Sequence, residues 1–399
     1  MKYNFDALID RSGTHSARWT LYEEPGADRP YGEDYIYLSS ADMDFPCSDG
    51  IRAELQKVVD YNLYGYTILT HEDGGDYFDA VRTWFQKRRG WTLKRENIFY
   101  VPGSMSGVRS ALQAFTRPGE GVIINRPVYG PFTSVVEGSG RRVVNNQLLR
   151  DEAGHYALDL EALERQAADP DTTAYLLCSP HNPVGRVWTE DELRAIHGIC
   201  RRHGVLIISD EVHSDFVWGG KPFHSIAQIS GGEGVVTCTG FGKTFNLAAL
   251  SPANAVVTDE KLLPAFRGQL AYMMTTPFTI AATRGACLNS DDWLEEARSY
   301  LEGNIDAALA FLHQRMPRVK CLRPEGGYML WMDLRAYGLS DKELHRRIYH
   351  RAQVILEDGA AFDPDLGQGF QRACIPAPRS RVLEALERIA KVLEEKTVL

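Results

Sequence analysis

A chain of 399 residues with 44 % hydrophobic and 24 % charged residues has room for one large and one smaller domain of ordinary globular composition. Its formal net charge of −9 argues against a nucleic-acid partner, and its basic runs KRR (87–89) and HRR (345–347) are short and expected to be solvated helix faces. Seven scattered cysteines without a CxxC pair, no signal-like N-terminus and no run near the about 20 apolar residues of a membrane helix point to a reduced cytoplasmic protein without a metal site or a membrane partner.

The first strand candidate is IFYV (98–101), followed by PGSMSG (102–107) and a helical pattern, GVRSALQAF (107–115). A short Gly/Ser turn before a helix presents free backbone N–H groups, so a phosphate is expected near Ser104, Met105 and Ser106. The next apolar run, GVIIN (121–125), leads into RPVYGPF (126–132). Tyr129 there either stacks on a flat ligand or packs in the core. After TAYLLC (173–178) comes SPHNPVG (179–185), in which Asn-Pro-x-Gly is a turn signal. Such a turn would also hold the Asn182 amide rigidly as a donor.

GVLIISD (204–210) ends on Asp210. That carboxylate reads either as a helix N-cap or as the partner of a protonated ring nitrogen. His213, three residues on, either reaches the same ring or is structural. GVVTCT (234–239) runs into TGFGKTFNL (239–247), whose glycines would let Lys243 approach an aldehyde closely enough to form a Schiff base. ANAVVT (253–258) is the sixth run.

These runs are apolar throughout, as expected for strands covered on both faces, and they alternate with helical stretches such as EDELRAIHGICRRH (190–203). The result is a largely parallel α/β sheet, in which ligands bind at the carboxyl ends of strands. The chemical residues fall at those ends. Beyond residue 285 the texture changes to one long amphipathic helix (291–316), GGYMLWMDL (326–334), a helix near 340–352, QVILEDG (353–359), FQRACIP (370–376) and a terminal helix (379–395). That order suggests a small α+β domain. Within it Arg372 either binds a carboxylate through its guanidinium fork or sits in a surface salt bridge.

An amine for a Schiff base, a carboxylate for a pyridinium, a donor for a phenolate and a phosphate cradle are the parts of a pyridoxal 5'-phosphate (PLP) enzyme. With Asn182, Asp210 and Lys243 in this order and spacing, the chain resembles the fold-type I, aspartate-aminotransferase-like superfamily over nearly its whole length. The resemblance implies an N-terminal segment (1–45), a large PLP-binding domain (46–285) with a mainly parallel seven-stranded sheet, and a small α+β C-terminal domain (286–399). It implies that Arg372 holds the substrate carboxylate. It also implies a homodimer in which Tyr66, of YGYT (64–67), reaches the cofactor phosphate of the partner subunit.

A narrower match rests on FDALIDRSGTHSARW (5–19), SADMDFP (40–46), PVYGPF (127–132), CSPHNPVGRVW (178–188), SDEVHSDF (209–216) and KTFNLAAL (243–250). These are similar to the cystathionine β-lyase, or MalY/PatB-type C–S lyase, subgroup. That likeness implies α,β-elimination of a cysteine S-conjugate to a thiol, pyruvate and ammonia, with Lys243, Tyr129 and Asp210 catalytic. It places Ser104, Met105, Tyr129, Asn182, Asp210, His213, Thr239, Gly242 and Lys243 at the cofactor, and Arg372, Asn182, Tyr129 and Ala41 at the substrate.

Three glycines depart from the patterns of these relatives. Gly242 stands where the subgroup usually carries a serine and Gly240 where the wider superfamily often has another, leaving Thr239 and backbone amides to hold the phosphate. Gly130 stands where a second tyrosine is usual, and the expectation is room for a bulkier conjugate in a specialised biosynthetic role. An aminotransferase, an oxidative or decarboxylating PLP enzyme and a non-catalytic regulatory protein are the alternatives.

Overall fold

The computed structural model describes residues 2–11, 13–17, 34–69, 75–270 and 273–394. Residues 18–33 of the expected N-terminal segment, together with parts of the FDALIDRSGTHSARW motif, lie outside the described residues. No helix among the described residues is long and apolar enough to cross a membrane.

The centre is a seven-stranded sheet made of β1 (Ile98–Pro102), β2 (Gly121–Ile124), β3 (Arg142–Asn145), β4 (Thr172–Cys178), β5 (Leu206–Asp210), β6 (Val235–Gly240) and β7 (Pro252–Val256). Their spatial order is β1-β7-β6-β5-β4-β2-β3. β7 runs antiparallel to both neighbours and every other pair is parallel. Strands β4 and β5 are buried along almost their whole length because both faces are covered. Alternate residues enter opposite cores: Tyr175 and Leu177 on one side, Ala174, Leu176 and Cys178 on the other.

Six of the seven strands start and stop within two residues of an apolar run in the sequence, β7 ending two residues before ANAVVT does. The seventh, β3, has no such run. It is a short edge strand, RVVN, whose first residue is exposed and whose others are half-buried, so it lacks the continuous apolar signal of its neighbours.

Local chemistry sets the element ends. Helix α1 (Ser104–Phe115) begins directly behind Gly103, whose φ of 100° suits glycine. Helix α2 (Glu190–His203) opens with a capping box between Thr189 and Glu192. It carries three acids in its first turn and three bases in its last, matching the helix dipole, and ends on left-handed Gly204. That turn is why β5 begins at Leu206 although the apolar run starts two residues earlier.

Past the sheet, α3 (Asp291–Arg315) is the long amphipathic helix read from the sequence. It packs against the terminal helix α4 (Arg379–Glu394). A three-stranded antiparallel sheet follows, with β8 (Met329–Asp333), β10 (Phe370–Cys374) and β9 (Glu357–Asp358) in that spatial order. The helix expected near 340–352 is shorter and irregular: an α-helical turn, Asp341–His345, passes into a π-helical turn, Arg346–Arg351. Ile36–Tyr37 pairs in parallel with Val354–Ile355, which ties the N-terminal segment to this region.

Candidate active site

A cavity of about 450 Å³ lies at the carboxyl ends of the central strands and is closed on one side by the small sheet. Lys243 follows β6, Asp210 ends β5, Asn182 follows β4, Tyr129 follows β2 and Ser104 opens α1; all five line it. Met105, Ser106, His213, Gly242, Ala41 and Arg372 line it too. Parallel strands deliver their last residues to one edge, so residues as far apart in the chain as Ser104 and Lys243 share one wall.

Lys243 Nζ donates to the Ala41 carbonyl at 2.8 Å. Burial lowers its pKa, and the Arg372 charge pushes the same way, against the charges of Cys374, Asp42 and Asp210. The ADMDFP segment that carries Ala41 is fixed from two sides. Asn246, in the left-handed region at φ 59°, accepts from the Met43 amide at 3.1 Å and donates to the Met43 and Phe45 carbonyls at 2.9 and 3.3 Å. Arg11 pairs with Asp42 at 2.7 Å and Asp44 at 2.9 Å.

Asp210 is 5 % exposed, and burial raises its pKa to about 7; the Val212 amide, Lys243 and the Ser104 hydroxyl only partly oppose this. No helix begins there, so the N-cap reading falls away. His213 is 4 % exposed and its pKa is pushed down to about 3 by burial, then by Lys243 and Arg372. Its neutral ring stands edge-on to Tyr328 at 5.6 Å, and its Nδ1 has no hydrogen-bond partner among the described residues.

Arg372 is 2 % exposed, which rules out the surface reading. It donates to Asn182 Oδ1 at 3.0 Å, to the Ser39 carbonyl at 2.7 Å and to the Glu357 carboxylate, while its guanidinium covers the Phe362 ring at 4.8 Å. Since Asn182 turns its oxygen to Arg372, its amide is left as the donor side. Its carbonyl accepts from the Tyr129 amide at 3.1 Å, which joins two walls of the cavity. Burial, then the Asp210 charge, raises the Tyr129 hydroxyl pKa, keeping the phenol protonated.

Two of the expected site residues stand apart. Thr239 is buried within β6 opposite Asn254 and does not line the cavity. Tyr66 is 94 % exposed and lies away from it. The expectation of extra room at Gly130 is overturned: a Cβ there would stand 2.7 Å from the Ala361 carbonyl oxygen. Residues 359–362 lie against this turn, where the Val128 amide donates to the Phe362 carbonyl at 3.1 Å. The space of the missing side chain is filled by backbone.

Polar or ionisable lining residues that sequence reading did not name for the site are Ser40, Cys178, Ser251 and Glu357. Ser251 adopts φ 49° directly before β7 and adds a hydroxyl beside the glycines. Nothing but its place before a strand, in LSPAN, marked it.

The donor set fits PLP. The α1 N-terminus with Ser104 and Ser106, and Ser251 nearby, suits a phosphate. Asp210 is a buried carboxyl whose ionised form calls for a cation, as a pyridinium is. His213 Nδ1 and the Asn182 amide offer polar atoms to a ring oxygen, and Lys243 offers the amine.

The sequence matches the family model described as aminotransferase class I and II over residues 33–389. It is 36 % identical to the cystathionine β-lyase PatB of Bacillus subtilis over 396 residues, covering 98 % of this chain and 100 % of that protein. The structure is similar to that of cystalysin from Treponema denticola, which contains a PLP cofactor, with TM-score 0.91, 31 % identity, and 98 % and 99 % of the two chains covered. It is also similar to the PLP-bound C–S lyase of Staphylococcus hominis, with TM-score 0.90, 26 % identity, and 99 % and 100 % covered.

Proposed function

The chain belongs to the aminotransferase class I and II family, and from that membership and its site we propose that it is a PLP-dependent carbon–sulfur lyase acting on cysteine S-conjugates. The observation that carries the reading is the convergence of Lys243, Asp210 and Arg372 on one cavity, with Lys243 Nζ held at the Ala41 carbonyl of the ADMDFP segment. Elimination is favoured over transamination by the likeness to PatB and to the Staphylococcus hominis lyase.

When bound, PLP would supply an electron sink for the pair left as the substrate α-C–H bond breaks. Asp210 would hold the ring nitrogen, Asn182 and His213 would meet the ring oxygen, and Ser104, Met105 and Gly242 would stand at the phosphate end. The protein's own residues do the rest. Arg372 fixes the α-carboxylate with its planar fork, which sets the orientation of the α-C–H bond. Lys243, with its pKa lowered by burial, takes the α-proton as general base. Tyr129 walls one side and holds its phenol proton. The Cβ–S pair leaves on sulfur, which takes up a proton. The three-carbon remainder adds water, giving pyruvate and ammonia.

The working unit is a homodimer with shared sites. Exposed Tyr61, Leu63, Tyr64, Tyr66 and Ile68 form an apolar stretch that a second copy would cover, bringing Tyr66 to its phosphate end. Mixing inactive Lys243→Ala subunits with Tyr66→Ala subunits is expected to restore activity, since one site in each mixed dimer is then intact.

The test of the chemistry uses purified protein with PLP, cystathionine and an aryl cysteine S-conjugate. Pyruvate and thiol in equal amounts, both lost in Lys243→Ala, are the expected result. A keto acid that retains the sulfur, formed in exchange with an amino acceptor, would assign transamination instead.

A further inference from the structure

Glu357 is a carboxylate in the cavity wall that the reaction above does not use. It opens β9 and stands directly opposite Arg372 of β10 in the antiparallel register. Its side chain keeps 29 % of its exposure where that of Arg372 keeps 2 %, so of the two cavity-lining members of the ion pair the carboxylate is the more open. Its charge also contributes to raising the Tyr129 hydroxyl pKa, after burial and the Asp210 charge.

Among the described residues, the charged side chains lining the cavity are Asp210, Glu357, Lys243 and Arg372. Under the lyase reading each of the other three has an assignment. Asp210 meets a ring cation, Lys243 works as a neutral amine, and Arg372 takes the α-carboxylate of the substrate. Glu357 must then share its arginine with a second anion, in a site mostly shielded from water. A carboxylate so placed is costly unless a cation or a strong N–H donor approaches it.

We propose that Glu357 reads the thiol half of the substrate, selecting cysteine S-conjugates whose sulfur substituent carries a cationic nitrogen group, such as an ammonium, guanidinium or imidazolium. The proposal rests on the lyase reading and names its substrate class. The pair Glu357–Arg372 then has two states: closed on itself at rest, and opened by a substrate that brings a carboxylate to Arg372 and a cation to Glu357.

The experiment compares S-aminoethyl-cysteine with S-propyl-cysteine, alike in size and differing in charge, in the PLP-loaded wild type and in Glu357→Gln and Glu357→Asp. A charge-assisted hydrogen bond predicts a preference of about tenfold or more in kcat/KM for the aminoethyl conjugate. Glu357→Gln brings the ratio to within about twofold and Glu357→Asp retains it. Equilibrium binding of lysine and norleucine, which lack a sulfur leaving group, is measured by calorimetry on the same proteins and follows the same order. A wild type that turns over both conjugates without preference overturns the proposal, whether or not the Gln variant folds. So does a preference that survives in Glu357→Gln. If neither conjugate yields pyruvate, the lyase reading fails, and lysine against norleucine still decides the role of Glu357.

Discussion

Glu357 and Arg372 face each other across the β9–β10 pair and close an ion pair, while the same guanidinium holds Asn182 Oδ1 and the Ser39 carbonyl. One side chain thereby joins the small sheet, the Asn-Pro turn after β4 and the N-terminal segment. A substrate carboxylate taken up by Arg372, as proposed, would meet a group whose orientation is already fixed from three directions.

Arg372→Lys keeps the charge and loses the fork. Hydrogen bonds to charged groups contribute about 1.5–3 kcal/mol each, so KM for an amino-acid substrate is expected to rise about 10–100-fold. Steady-state kinetics on one conjugate checks this. An unchanged KM would show that the carboxylate binds elsewhere.

Asp210 makes a pH prediction whose sign is fixed by its burial. Its folded pKa is raised from 3.8 to about 7, so between those values the folded protein without PLP binds a proton that the unfolded chain has lost. Its contribution to stability therefore falls as pH rises through that window, by about 1.4 kcal/mol for each pH unit at most. Glu211, raised to about 7 by burial, adds in the same direction. A ring cation held by Asp210 would relieve the penalty. Added PLP is thus expected to raise the melting temperature more at pH 8 than at pH 6, and Asp210→Asn to remove most of that difference. Equal PLP stabilisation at both pH values in the wild type would contradict the pairing.

Asn246 is the prediction that concerns positioning alone. It lies three residues after Lys243 and makes three hydrogen bonds to the segment bearing Ala41. Asn246→Ala loses these bonds, and its positive φ disfavours alanine as well. The expected outcome is a loss of about 1–3 kcal/mol in stability and a fall in kcat larger than any change in KM. Asn246→Gly, which tolerates the backbone, separates the two causes: full recovery of kcat would assign the effect to backbone strain.

The parts of the site carried by single strands were legible in the sequence. Asp210, Lys243 and Asn182 follow apolar runs whose burial fixes where they end, so their common edge follows from the parallel sheet. Arg372 was legible as a candidate only, because its burial depends on a wall built from residues 39, 182 and 357. Glu357 was not legible: its meaning comes from a cross-strand register set by tertiary packing. The same kind of contact, the Ala361 carbonyl against Gly130, reversed the expectation of a roomier pocket. Local pattern reveals which residues a strand presents, and packing decides what faces them.

The two glycines before Lys243 look alike in the sequence and differ in space. A Cβ on Gly240 would stand 2.8 Å from the Pro252 carbonyl oxygen and 2.9 Å from the Ala253 Cβ, where β6 meets β7. The nearest atom to a Cβ on Gly242 is the Ala248 Cα at 3.4 Å, an ordinary contact. Glycine at 240 is therefore required by strand packing, whereas glycine at 242 leaves space that a serine hydroxyl can use. Gly240→Ser is expected to destabilise the protein by about 1–3 kcal/mol through overpacking. Gly242→Ser should fold normally and bind PLP more tightly, by about 3–10-fold for one added hydrogen bond. Thermal melting of both variants and PLP titration of the second test this. Weaker PLP binding by Gly242→Ser would mean that the hydroxyl points away from the phosphate end or crowds it.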